Sequence, residues 1–149
     1  MKIRHLASLT LASATLLVAL PAAAQFAKPE NAIKFRQSAM SLMGTHMGRI
    51  GVMVAGRVPF DAAALQRNAE IATMLSTLPW QGFGPGTEGG IAKAEVWSDN
   101  AKFVQYSQDM GTKMAALNAA AKTGNLDNIK TAFGAVGASC KTCHDAMQK

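Results

Sequence analysis

From Ile33 the apolar residues recur at steps of three and four: Ile33, Met40, Met43, Met47, Ile50 and Val54, with Arg36 the one charge on that seam. This spacing lays them along one face of a helix. Pro29 and Glu30 mark its start, a proline in the first turn and an acid beside the positive end of the helix dipole. Gly56 and Pro59 end it. Asp61 then reads as the cap of a second helix carrying Ala62, Leu65, Ala69, Ala72, Leu75 and Leu78 before Pro79 stops it. Residues 79–95 hold five glycines and a second proline, a density of breakers that predicts a loop without regular structure. Trp80 and Phe83 lie inside it, and large aromatics in a loop fold back onto something apolar. Ser98 reads as the cap of a third helix with Phe103, Met110, Met114 and Leu117 on its seam, broken at Gly124 and Asn125. A fourth starts near Asp127 and runs through Ile129, Ala132, Phe133, Val136, Cys140 and Cys143 to the C-terminus.

Four amphipathic helices and no credible strand predict an all-α fold, an antiparallel four-helix bundle, up-down-up-down. The first residues stand outside it. Lys2 and Arg4 precede an uncharged apolar run from Leu6 to Leu20, and Pro21 and Ala22-Ala23-Ala24 follow. That is the layout of a secretory signal peptide over residues 1–24, cleaved to leave a domain of residues 25–149. The run is shorter than the ~20 residues of a membrane-spanning helix. Export places the domain in the periplasm, with no membrane attachment after cleavage.

The whole chain of 149 residues has 15 basic and 9 acidic side chains. Losing Lys2 and Arg4 leaves 13 against 9, a formal +4. With no Lys/Arg cluster and no aromatic interleaving, nucleic-acid binding has no support.

Two cysteines in an exported protein ordinarily predict a disulfide. Here they stand three apart, in Cys140-Lys141-Thr142-Cys143-His144. A disulfide across so small a ring closes almost no chain entropy. The spacing is that of covalent attachment of one haem c. Residues i and i+3 share a helix face, so two thiols there can add across the two vinyl groups of one porphyrin edge, and His144 follows as axial iron ligand. A zinc site lacks a fourth ligand, since His46 is the only other histidine beyond the leader. A redox pair would open a helix rather than lie near its end.

In an antiparallel bundle the end of the fourth helix lies beside the start of the first. Cys140 is roughly 13 Å of helix from the C-terminus, and Arg36 and Met40 lie roughly 10 and 16 Å into the first helix. These two are therefore level with the haem. Arg36 becomes a candidate partner for a propionate, and Met40 either packs against the iron's open face or binds it. His46 falls on another face and reads as surface or rim.

The chain also resembles the cytochrome c′ family over essentially all of residues 25–149. The resemblance rests on Gln25-Phe26-Ala27-Lys28-Pro29-Glu30, Arg36-Gln37-Ser38-Ala39, Pro59-Phe60-Asp61-Ala62, Leu78-Pro79-Trp80, Phe83-Gly84-Pro85-Gly86-Thr87-Glu88, Trp97-Ser98-Asp99 and Gly137-Ala138-Ser139 ahead of the haem motif. It implies a homodimer through the first two helices and a five-coordinate, high-spin iron with His144 proximal. It also implies haem contacts from Arg36 and Gln37, and an apolar distal face of Met40, Trp80 and Phe83 that admits nitric oxide and carbon monoxide. Roles implied are gas binding and electron transfer. Two positions depart from the family pattern: Met40, where Leu or Phe is usual, and Gln148, where Arg or Lys is usual four residues after the proximal histidine. The first keeps open a low-spin electron carrier with a His144–Met40 iron. An enzyme such as a peroxidase is disfavoured, because nothing polar except Arg36 stands at haem height to move protons.

Overall fold

In a computed structural model, residues 26–149 are described; the leader expected over residues 1–24 lies outside the described residues. Four long helices, α1 (Pro29–Val54), α2 (Ala62–Leu75), α4 (Asn100–Thr123) and α5 (Leu126–Met147), are joined by a single-turn helix α3 (Glu95–Ser98) and a 3-10 turn over Pro79–Phe83. α1 packs on α2, α2 on α4, α4 on α5, and α5 on α1, which closes the expected bundle. No helix among the described residues is long and apolar enough to cross a membrane.

The helix ends follow local chemistry. Asp61 accepts the Ala64 N–H at 2.9 Å and starts α2. Asn125 accepts the N–H groups of Asp127 and Asn128, both at 3.0 Å, and starts α5. Gly124 ends α4 in the left-handed conformation (φ 66°), which only glycine adopts without strain.

Three sequence expectations are corrected. Ser98 does not cap the third long helix: it closes α3, and Asp99 takes the capping position of α4 without a side-chain bond. α2 ends at Leu75, three residues short of Leu78, because the chain tightens ahead of Pro79: the Thr77 and Leu78 N–H groups bond Met74 O and Leu75 O, i to i−3, at 3.2 and 3.1 Å. The segment after Pro79 is not wholly irregular. Its first five residues form the 3-10 turn, held from outside by α1.

The two ends of the bundle differ in how they are filled. Away from the chain termini, Ile50 from α1, Leu65 from α2, Leu117 from α4 and Ile129 from α5 are each at most 1% exposed and belong to one apolar core. Toward the C-terminus of α5 the same seams continue but do not meet. Met40 and Met47 are only half-buried, and α1 and α5 stand apart on either side of an open slot.

Candidate functional site

The slot is two adjoining cavities of about 290 and 370 Å³. Met40, Trp80, Cys143 and His144 line both, so these four residues stand where the two meet. The outer cavity adds Arg36, Gln37 and Phe83; the inner adds Cys140 and runs toward Gly51 and Phe133. Every residue expected at the site from the sequence therefore lines one space. His46 is not among them: it is half-buried between α1 and α2, its Nδ1 2.8 Å from Asn68 Oδ1. Because Asn68 Nδ2 donates to Ala64 O at 2.7 Å, its Oδ1 is an acceptor and His46 Nδ1 is the donor.

Arg36 holds the loop over this space. It is 3% exposed, and Nη1 donates to Gly82 O at 2.6 Å and Thr87 O at 2.8 Å while Nη2 donates to Gly89 O at 2.8 Å. The guanidinium lies 4.4 Å from the centroid of the Phe83 ring, within cation–π range. Burial pulls its pKa down, and Glu88 opposes that. Three of its five N–H groups face these carbonyls, which leaves the Nε–H and one Nη2–H for another acceptor. Gly82 makes the close approach possible: a Cβ there would sit 2.7 Å from Ala32 O. This fixes the 3-10 turn and, with it, Trp80 and Phe83. Trp80 Nε1 donates to Ser76 O at 2.7 Å, and the rings of Trp80 and Phe83 each pack on Phe103 at centroid distances of 5.7 and 4.8 Å.

Cys140 and Cys143 are half-buried free thiols on the opposite wall. Burial raises both pKa values, and for Cys143 the neighbouring Cys140 adds to the effect. A redox-active pair needs the reverse, a stabilised thiolate. Nor do three or more metal-binding side chains gather as a metal site among the described residues. The walls instead fit a flat apolar group. Apolar side chains flank it, two unpaired thiols meet one edge, and an imidazole stands next to them. Val96, Phe103 and Met147 also line the outer cavity and were missed from the sequence. The aromatic and apolar positions flanking Trp97 were the available signal, but their orientation depends on α3, a turn too short to show a period.

A four-helix bundle with one underfilled apolar slot and Cys-x-x-Cys-His on its wall defines a c-type haem protein. The family model described as Cytochrome C′ matches residues 31–147. A cytochrome c′ from Alcaligenes xylosoxydans xylosoxydans is 54% identical over 125 residues, covering 84% of this chain and 98% of the relative. One from Rubrivivax gelatinosus is 43% identical over 128 residues, covering 84% and 99%. A solved structure, the nitric oxide complex of a variant of cytochrome c prime from Alcaligenes xylosoxidans, superposes with a TM-score of 0.82 at 54% identity, covering 84% of this chain and 98% of that one. The chain belongs to the cytochrome c′ family and binds one haem c covalently.

Proposed function

We propose that this is a periplasmic haem protein whose iron is five-coordinate and high-spin, binds nitric oxide and carbon monoxide, and takes part in electron transfer. Cys140 and Cys143 form the thioethers and His144 is the proximal ligand. The observation that carries the reading is the wall facing them. Met40, Trp80 and Phe83 present carbon and sulfur to the slot, with no acid or base among them. Bound there, the haem supplies an iron that can take a ligand or an electron. The chain's own contribution is to orient it and to exclude water. An apolar wall gives hydroxide and other anions no hydrogen-bond donor, while a neutral diatomic needs none. Arg36 contributes its remaining N–H groups to a propionate as a charge-assisted contact, and Gln37 lines the same end. The nitric oxide complex of the related protein supports the choice of gas.

Apolar side chains exposed on the first half of the domain support the homodimer: Leu42 on α1, and Ile71 and Met74 on α2, are 54%, 38% and 60% exposed. The leader pattern supports export.

A second reading has its own observation. Met40 and His144 line the same two cavities, so the thioether sulfur is available to the iron. Absorption of the reduced protein separates the two. A broad high-spin spectrum that shifts on adding nitric oxide is expected, with Met40→Leu leaving the gas-free spectrum unchanged. A sharp, intense alpha band that Met40→Leu abolishes assigns a low-spin His144–Met40 electron carrier instead.

A further inference from the structure

A helix leaves its last four carbonyls without partners in its own ladder unless the following residues supply them. In α5 these belong to His144, Asp145, Ala146 and Met147. The His144 carbonyl accepts from the Gln148 N–H at 2.9 Å. The other three all go to Lys93. Its Nζ donates to Asp145 O at 3.0 Å and Ala146 O at 3.4 Å, and its backbone N–H donates to Met147 O at 2.9 Å. The Lys149 N–H answers with a 2.9 Å bond to Ile91 O, and Ala92 bridges to Gln148.

The contrast with α4 shows what this does. α4 ends on its own, with Gly124 in the left-handed conformation. α5 has no such glycine: Gln148 is extended (φ −112°), and the cap arrives from a loop more than fifty residues earlier. An ammonium is also the charge that the negative end of a helix favours. The loop is itself anchored, since Arg36 holds Gly89 O two residues before Ile91. The turn that begins with His144 is thus tied through residues 89–93 to the α1 residue on the far wall of the slot.

We propose that Lys93 is the positioning residue for His144, fixing the last turn of α5 so that the imidazole keeps one direction toward the slot. This rests on the reading above that His144 binds the iron. The test compares the haem-loaded protein with Lys93→Ala, Lys93→Arg and, as a control of similar kind elsewhere, Asp61→Ala at the start of α2. Two quantities are read: the hyperfine-shifted ring resonances of 15N-labelled His144 in the oxidised protein, and amide exchange at Gln148 and Lys149. His46 provides the unshifted reference.

In Lys93→Ala the His144 resonances move and broaden, and the two amides exchange faster by on the order of tenfold, the factor expected for losing a charge-assisted hydrogen bond. Lys93→Arg restores both, and Asp61→Ala changes neither. Unmoved His144 resonances in Lys93→Ala overturn the proposal even where exchange accelerates, as does an equal displacement in Asp61→Ala. If His144 of the oxidised parent protein instead gives sharp ring resonances at unshifted positions like those of His46, the ligand assignment itself fails and the positioning role falls with it. The two failures are therefore distinguishable.

Discussion

The two halves of this bundle carry the same kind of sequence and end in different states. In the half away from the termini, Ile50, Leu65, Leu117 and Ile129 close on one another at 1% exposure or less. In the half that carries Cys140 and His144, Met40, Met47 and Phe133 continue the same seams but border a slot. Glycines make the difference on α1. A Cβ at Gly44 or Gly48 would meet nothing within 4 Å, whereas one at Gly51 would meet Phe133 Cζ at 3.1 Å, where the helices close. An apolar period thus states which face of a helix is dry. It does not state whether the chain's own side chains or a prosthetic group will cover it.

Side-chain truncation in the two halves separates them most strongly. Leu65→Ala, in the filled half, removes a fully buried side chain and is expected to lower the unfolding free energy by roughly 2–5 kcal/mol. That loss should be of similar size with or without haem attached. Met47→Ala, beside the slot, is expected to cost under about 1 kcal/mol in the haem-free chain, because the side chain is only half-buried there. With haem in place the cost should rise. Urea unfolding of both forms measures this; equal losses for the two variants in the haem-free chain would remove the distinction between filled and hollow halves.

The polar lid is the next test. Arg36→Leu removes the donor of the Thr87 and Gly89 carbonyls and leaves Gly82 O only the Thr87 hydroxyl at 3.2 Å, at about 1–3 kcal/mol for each carbonyl that neither water nor another donor reaches. The expected net loss is about 2 kcal/mol, since the Thr87 and Gly89 carbonyls are only partly buried. Arg36→Lys should recover less than half of it, because an ammonium cannot serve three directions as a planar fork does. Trp80 and Phe83 lie on the same loop, so their fluorescence and near-ultraviolet dichroism should change along with stability. Full recovery in Arg36→Lys would show that charge matters here and geometry does not.

Much of this was legible in the sequence, and the limits have physical causes. The long helices follow from three-four spacing bounded by Pro29, Asp61, Gly124 and Asn125, all local signals. The haem motif is also local, since Cys140, Cys143 and His144 fall within two turns of one helix. Arg36 was legible as an anomaly, a charge on an apolar seam. Its three loop carbonyls were not, because they lie 46 to 53 residues away. For the same reason the sequence predicts a loop where the 3-10 turn at Pro79–Phe83 stands: a distant guanidinium and the missing Cβ of Gly82 stabilise it. Lys93 carried no signal at all, because its partners are backbone carbonyls, which have no sequence.

A covalent haem c on Cys140 and Cys143 completes the hollow half. Intact mass and peptide mapping of the protein purified from the periplasm of a cell able to mature c-type cytochromes tests it most directly. The mass should rise by one haem, with the increment on the peptide containing Cys140 to His144. Cys140→Ser together with Cys143→Ser should abolish it. Two free or disulfide-linked cysteines at the mass of the polypeptide alone, in a protein that is otherwise folded, would contradict it.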